Sequence, residues 1–343
     1  MYAMERQVSG LKRPSRRASK GLITVGVALV ILLVASAVLA PSSLSQGAVL
    51  GMLPFASVLA VVGLGQMLVV QQGGIDLSVP GAVSLAIVIV SRIPNGDNAL
   101  LVPAILLAFG FAAAAGLLNG FLVGRLGLNA IIATLGTNAL LFAAVLGISG
   151  GSPTTTTRLL QSVAGGLSLG IPNSVFFAAA VAVIVIVLVK KTVAGRRFEA
   201  IGANPIAARA TGLRVRVHQT AAYVWGQMLY CIAGILLAGI TAQPTAFQGN
   251  TYLIPAVAVV VLGGTSLLGG RGFPLATVVA AVFLSQLDQF NLAVGVPYAV
   301  RTLVQAAALA VGVALYTIDW SRVRARFGSR TRTTKPKPTP SPA

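Results

Sequence analysis

The chain has 343 residues, of which 56% are hydrophobic and only 9% are charged, and its mean hydropathy is +0.89. A water-soluble protein carries about a quarter charged residues, so this composition excludes an ordinary soluble fold. The net charge of +19 would indicate a nucleic-acid partner in a soluble protein. Here the basic residues flank apolar runs, which is typical of anchoring beside anionic lipid headgroups.

The N-terminal 20 residues are basic, and an apolar run of about 20 residues follows them. This order, with Ala35-Ser36-Ala37 near the end of the run, is also found in cleavable signal peptides. The apolar run is longer than the core of a usual signal peptide. We therefore predict that it is a retained membrane span.

Ten apolar segments can cross a bilayer. A hydrocarbon core about 30 Å thick requires about 20 helical residues at about 1.5 Å each. The sequence therefore predicts an all-α integral membrane protein with about ten transmembrane helices, some of them short or broken. The predicted spans are residues 21–40, 48–72, 77–92, 99–123, 129–149, 172–189, 218–242, 253–268, 273–290 and 297–318.

The distribution of basic residues predicts the orientation. With a cytoplasmic N-terminus, 22 of the 25 lysine and arginine residues lie on the inner side, and only Arg92, Arg158 and Arg301 lie on the outer side. This bias predicts that both termini are cytoplasmic. The predicted regions are a basic tail (1–20), a transmembrane domain (21–318) with an inner loop at 190–217, and a basic, proline-rich, disordered tail (319–343).

Residues 73–81 interrupt the apolar pattern. Gly73 and Gly74 break a helix, and Pro80 suits the first turn of a new one. From Pro80 to Arg92 a helix would be only about 20 Å long, too short to cross alone. We therefore predict irregular backbone at membrane depth, which is tolerated only when it is buried in protein or lines a cavity.

Polar residues in or near the spans are the candidates for a transport pathway. Asp76 either caps the new helix and satisfies free amides or contacts the substrate directly, since an intramembrane carboxylate is a functional candidate by default. A second glycine cluster, at 263–272, is a further indication, because paired glycine-interrupted segments mark central pathways in transporters. The candidate pathway residues are Asp76, Ser78, Asn138, Gln286 and Asp288.

Three glycines lie four residues apart in the fourth span, at Gly116, Gly120 and Gly124. Such a stripe of small residues lets two helices approach closely. It predicts helix packing and no binding site.

The inner loop contains a short capped helix. Asn204 is predicted to be its N-cap, Pro205 its first residue, and Gly212 its C-terminal stop. A helix from Pro205 to Thr211 is too short to be stable alone in water. It therefore requires a surface to pack on, either the membrane face or another protein.

The sequence provides no pattern for catalysis. It has no cluster of histidine and cysteine, no nucleophile elbow and no suitably spaced pair of carboxylates, so no catalytic residue and no metal site are predicted. The single Cys231 and the single His218 are expected to be packing and interface residues. A Walker A pattern is absent, so ATP and magnesium are expected to bind a separate polypeptide.

Four motifs occur in order between residues 50 and 320. They are Gly73-Gly74-Ile75-Asp76-Leu77-Ser78; Ile131-Ile132-Ala133-Thr134-Leu135-Gly136-Thr137; Ala200-Ile201-Gly202-Ala203-Asn204 with Ala207-Ala208-Arg209 and Gly212; and Leu262-Gly263-Gly264-Thr265-Ser266 with Gly269-Gly270-Arg271-Gly272. Together they resemble the ribose-type permeases of bacterial ABC sugar importers, within the branched-chain permease superfamily. Pro80 departs from the pattern, since family members often have glycine there.

The resemblance implies a multi-pass subunit of the bacterial cytoplasmic membrane that moves a sugar or sugar-like solute by alternating access. It implies three partners: a cytoplasmic ATPase that binds ATP and magnesium, an extracytoplasmic solute-binding protein, and a second permease subunit. The short inner helix would dock on the ATPase, and the outer loop at 150–171 on the binding protein. The implied ATPase-coupling residues are Glu199, Gly202, Asn204, Pro205, Ala208, Arg209 and Gly212.

Two alternatives stay open. A permease for branched-chain amino acids shares the broad architecture. A secondary transporter driven by protons or sodium would need intramembrane ionisable residues, for which Asp76 and Asp288 are the candidates, and it would leave the short inner helix without a role.

Overall fold

The computed structural model describes residues 20–152 and 155–317. The predicted basic tail, apart from Lys20, and the predicted tail at 319–343 lie outside these residues. The helices are α1 (Lys20–Leu39), α2 (Gln46–Gln71), α3 (Val79–Arg92), α4 (Leu101–Gly120), α5 (Ala130–Ser149), α6 (Arg158–Gly165), α7 (Asn173–Lys191), α8 (Val193–Ala203), α9 (Pro205–Ala210), α10 (Val215–Thr241), α11 (Leu253–Leu262), α12 (Pro274–Ala293) and α13 (Tyr298–Thr317). Two strands, β1 (Leu167–Ser168) and β2 (Ile171–Pro172), form an antiparallel hairpin between α6 and α7.

Every predicted span contains a helix, which confirms the all-α membrane architecture. Among the described residues, seven helices are long and apolar enough to cross a membrane: α1, α2, α4, α5, α7, α10 and α12. Two shorter apolar helices, α3 and α11, and the 20-residue α13 occupy the other three predicted spans. A π-helical turn, Phe121–Arg125, extends α4.

Both predicted interruptions occur. The chain leaves α2 at Gln71 and re-enters a helix at Val79, so α3 has 14 residues and is about 21 Å long. Pro80 lies in its first turn, as predicted. The boundary predicted for the eighth span is wrong: α11 ends at Leu262, because the glycine cluster turns the chain, with φ +83° at Gly264.

The second half of α2 is the centre of the fold. Each residue from Ala56 to Gln71 is buried, and α7, α10, α11 and α12 pack around it. By contrast, α1 exposes large apolar side chains such as Ile31 and Val38. A water-exposed helix would not carry such a surface, so this face of α1 suits lipid.

The glycine stripe of α4 packs against α10, as predicted. A Cβ atom at Gly116 would lie 2.5 Å from Val224 Cα, and one at Gly120 would lie 2.7 Å from Thr220 Cα. Only glycine permits this backbone approach.

Candidate functional site

Asp76 is the centre of a buried hydrogen-bond network in the irregular segment between α2 and α3. The Ser78 N–H and hydroxyl both donate to Asp76 Oδ1. Gln227 of α10 donates from Nε2 to Asp76 Oδ2 (3.1 Å) and to Ser78 Oγ (2.7 Å). Asn119 of α4 also donates to Ser78 Oγ, at 3.1 Å.

The neighbouring helices complete this network. With the Gln66 amide oriented to satisfy both of its groups, its Oε1 accepts from the Asp76 N–H and its Nε2 donates to the Asp76 carbonyl oxygen, each at 3.2 Å. On the other side, Thr134 Oγ1 accepts from the Leu77 N–H at 2.9 Å. The free backbone groups of the interruption are thus satisfied by side chains, as buried polar groups require.

Asp76 and Ser78 have no exposed surface in this conformation. In this conformation Asp76 satisfies the Ser78 N–H and the Gln227 amide, whereas the N-cap residue of α3 is Ser78 and no side chain caps it. Asn138, another candidate pathway residue, has the same kind of role, because its Oδ1 accepts from the Gly81 N–H at 2.8 Å.

Gln286 is also buried, with 2% of its surface exposed. Its Nε2 donates to Ser36 Oγ of α1 at 3.2 Å. This contact fastens α12 to α1 and directs the amide away from any cavity.

Asp288 alone among the five candidate pathway residues lines a sizeable cavity. The cavity has a volume of about 380 Å³ and lies between α2, the start of α11, α12 and α13. Asp288 Oδ1 lies 3.6 Å from Arg301 Nη1 across it. The other polar groups on its walls are Thr251, Ser285, Gln289, Thr302 and Gln305.

Sequence reasoning missed most of these cavity residues. A partial signal exists, since Ser285, Asp288 and Gln289 follow the three- and four-residue spacing of one helix face, as do Arg301 and Gln305. The pairing of these two faces with α2 and α11 depends on tertiary packing. It is therefore not visible in the spacing.

At the other end of the fold, α9 is the short helix predicted in the inner loop. Asn204 Oδ1 accepts from the N–H groups of Ile206 and Ala207 at 3.1 and 3.0 Å, and Pro205 is the first helical residue. The helix ends at Ala210, one residue before the predicted Thr211.

The C-terminus of α9 is a Schellman motif. Gly212 has φ +80°, its N–H bonds to the Arg209 carbonyl oxygen, and the Leu213 N–H bonds to the Ala208 carbonyl oxygen. This is the left-handed glycine stop that the sequence predicts. Ala208 packs inward with Ile201 and Val215.

The opposite side of α9 is exposed. Ile206 has 83% of its surface exposed, and Ala207, Arg209 and Ala210 are exposed as well. An exposed apolar residue next to an arginine, on a helix held rigidly by caps at both ends, is a suitable docking surface for a protein.

Glu199 of α8 forms ion pairs with α7 and with the second glycine cluster. It lies 3.7 Å from Lys190 Nζ of α7 and 3.3 Å from Arg271 Nε of the second glycine cluster. Both contacts are part-exposed, so each contributes at most about 1 kcal/mol. Their effect is to hold α8 beside the glycine cluster.

Backbone contacts bring α8 to both interruptions of the membrane domain. The Gly270 N–H bonds to the Gln71 carbonyl oxygen at 3.0 Å, and a Cβ atom at Gly202 would clash with that same oxygen. Gln72 Nε2 also donates to the Phe198 carbonyl oxygen at 2.8 Å. The two glycine clusters therefore meet at α8, which continues directly into α9.

The sequence comparisons all find permease components of transport systems. The family described as branched-chain amino acid transport system / permease component matches residues 48–313. A ribose import permease of Bacillus subtilis is 33% identical over 84% of this chain and 90% of its own. An autoinducer 2 import permease of an Enterobacter strain is 37% identical over 70% of each chain, and a probable ABC transporter permease of Sinorhizobium fredii is 31% identical over 78% of this chain and 80% of its own. No solved structure gives a significant match.

Proposed function

This chain belongs to the family of permease components of branched-chain amino acid transport systems, and on that premise we propose that it is the membrane-spanning subunit of an ABC importer for a sugar or sugar-like solute. It is a multi-pass protein of the cytoplasmic membrane. The sugar class is supported by the relative named for ribose and by the four motifs at residues 73–78, 131–137, 200–212 and 262–272.

The observation that carries the proposal is the capped helix α9 and its exposed face. In the proposed mechanism, α9 docks on a partner ATPase that binds ATP and magnesium. Closure of the ATPase displaces α9 and α8, and α8 transmits this displacement to the glycine clusters through Gly202 and the Gln71 carbonyl oxygen. The spans then alternate between outward-open and inward-open arrangements.

Further partners follow from the family. A second permease subunit, identical or different, would complete the pathway. A solute-binding protein would dock on the outer loop, where α6 and the β1–β2 hairpin project and Leu169 is 94% exposed. With both termini cytoplasmic, the 190–217 loop faces the ATPase.

The test is recovery of the ATPase. We expect the tagged full chain, purified in mild detergent, to recover a polypeptide that carries a Walker A motif, identified by mass spectrometry. Arg209→Glu and Ile206→Asp, both on the exposed face of α9, are expected to lose this partner and solute uptake while the chain still inserts in the membrane. Ala208→Pro is expected to have the same effect by a different route, since it removes the Ala208 N–H bond to the Asn204 carbonyl oxygen.

Arg125→Glu is the matched control, because Arg125 is an exposed arginine in another loop of the predicted inner side. It should retain the ATPase. A stable wild-type chain that recovers no ATPase would contradict the importer proposal and favour an ion-coupled transporter, with Asp76 and Asp288 as the residues to examine. Normal uptake by Arg209→Glu and Ile206→Asp would contradict the docking role of α9.

A further inference from the structure

The cavity that contains Asp288 lies at the end of the fold opposite α9. Its wall on α2 runs from Gly51 to Leu59, whereas the far end of α2, at Gln71, contacts α8. From Phe55 to Gln71 the helix rises about 24 Å, most of the thickness of a hydrocarbon core. The cavity therefore faces the side from which an imported solute arrives.

The size and position of the cavity suit a small ligand. Its volume of about 380 Å³ lies within the range of about 300–1,000 Å³ that is usual for small-molecule sites. Asp288 lies five residues before the end of α12 and Arg301 three residues after the start of α13, so both are within about 8 Å of a helix end. A solute entering from this side meets them early.

The cavity walls combine apolar side chains with an ion pair and several polar groups. The Arg301 side chain is 17% exposed and that of Asp288 is 46% exposed, and the two form an ion pair at 3.6 Å. Ionisable side chains within membrane-spanning helices are costly and mark substrate pathways. The amides of Gln289 and Gln305 add groups that both donate and accept hydrogen bonds.

This set of groups suits a neutral ring that bears several hydroxyls. Neighbouring hydroxyls can donate to the Asp288 carboxylate and accept from the Arg301 guanidinium, while the glutamine amides do both. Phe55 and Pro255 offer apolar surface for the C–H face of the ring. Asp288 and Arg301 together carry no net charge, which suits a solute without net charge, and comparison of sugars with leucine tests whether a zwitterion is accepted as well.

We propose that this cavity is an outer sugar-binding subsite of the permease itself, in which Asp288, Arg301, Gln289 and Gln305 hold a neutral polyhydroxylated solute after its release at the outer face. The inference rests on the proposed function and deepens it. It assigns part of the solute selectivity to this chain in addition to the binding protein.

The test is protection of an introduced cysteine. Ser285→Cys, which lines the cavity without being one of the four proposed binding groups, is used in the full importer in intact cells. It is treated with a membrane-impermeant maleimide alone or with millimolar ribose, fructose, galactose, inositol or leucine. The native Cys231 is buried, with 1% of its surface exposed, and gives a low background. We expect the Ser285→Cys variant to be labelled at a rate that the transported sugar slows several-fold and that leucine does not change.

Two further variants keep the result interpretable. In cells that lack the solute-binding protein, Leu169→Cys, on the exposed hairpin, should be labelled at the same rate with and without sugar, so that docking of that protein is separated from occupation of the cavity. Thr251 lies on another wall of the cavity, and Thr251→Cys should show the same protection as Ser285→Cys, which covers the case in which the latter is poorly folded.

Uptake by the wild-type importer is measured with the same compounds, so that two failures can be told apart. If one sugar is imported but protects neither cavity cysteine, the subsite is overturned and the proposed function stands. If leucine is imported and no sugar is, the sugar class itself is overturned, and the subsite with it.

Discussion

At the scale of single residues, the two acidic groups of the predicted pathway behave differently. The Asp76 carboxylate accepts three hydrogen bonds, two from Ser78 and one from Gln227, and has no exposed surface. Asp288 is partly exposed in a cavity. The sequence places both in or near apolar spans and cannot separate these roles, because the separation depends on which side chains other helices bring close.

Asp76→Ala is expected to destabilise the fold and to lower the amount of protein in the membrane. It would leave the buried Ser78 N–H without its acceptor, at about 1–3 kcal/mol, and would remove one of the two acceptors of Gln227 Nε2. The measurement is the apparent Tm of the purified chain in detergent, which should fall by several degrees. Asp288→Ala is the comparison variant: the Asp288 side chain is 46% exposed and forms one ion pair at 3.6 Å, so its Tm should fall less than that of Asp76→Ala. An Asp76→Ala protein of normal Tm that no longer transports would instead assign Asp76 to substrate contact.

Gly202→Ala is expected to reduce uptake while the ATPase still co-purifies. The added Cβ atom would clash with the Gln71 carbonyl oxygen, so α8 must move away from the two glycine clusters while the exposed face of α9 is unchanged. The measurement is the ratio of solute imported to ATP hydrolysed, which should fall.

Gly136→Ala is the control for this change, since a Cβ atom there contacts nothing within 4 Å. It should leave the transport ratio at the wild-type value. An unchanged ratio in Gly202→Ala would contradict the role of this contact in transmission.

At the scale of elements, local chemistry predicted the helices well. The caps of α9 follow from Asn204, Pro205 and Gly212, because capping depends on residues within one or two turns. The interruption before α3 follows from Gly73, Gly74 and Pro80 in the same way. The end of α11 was missed because Gly263 and Gly264 precede further apolar residues, which extended the apparent span to 268.

The cavity was largely unpredicted because it depends on tertiary packing and not on local sequence signals. Its walls come from α2 and from α11, α12 and α13 more than 180 residues later in the chain, and Asp288 was the only wall residue among the pathway candidates. Gln286 directly follows the wall residue Ser285 in the chain, but its side chain lies on another face of α12 and donates to Ser36. The packing of α1 and α13 against α12 determines which face of α12 lines the cavity.

Gly120→Leu is expected to separate α4 from α10 and to destabilise the protein. Overpacking of a close contact costs about 1–3 kcal/mol or more, and here the obstructing atoms belong to the Thr220 backbone as well as its side chain. Gly110→Leu on the same helix is the control, since a Cβ atom there has nothing within 4 Å. Thermal unfolding in detergent should distinguish the two variants, and equal Tm values would contradict the packing role of the stripe.

At the scale of the whole molecule, the orientation predicted from the basic residues is open to direct measurement. A membrane-impermeant thiol reagent should label Leu169→Cys in intact cells. Ala210→Cys, on α9, should be labelled only after the membrane is made permeable. The reverse pattern would contradict cytoplasmic termini and, with them, docking of α9 on an ATPase.

Because α2 separates the cavity from the contact between Gln71 and α8, the two regions can evolve independently. Substitutions around Asp288 can change which solute is accepted without altering the surface of α9, since the two regions share no side chain. A chimera that takes its outer helix halves from a relative with another solute should therefore keep its own ATPase. New solute specificities can then arise by substitutions at the outer end of the protein while the surface of α9 stays the same.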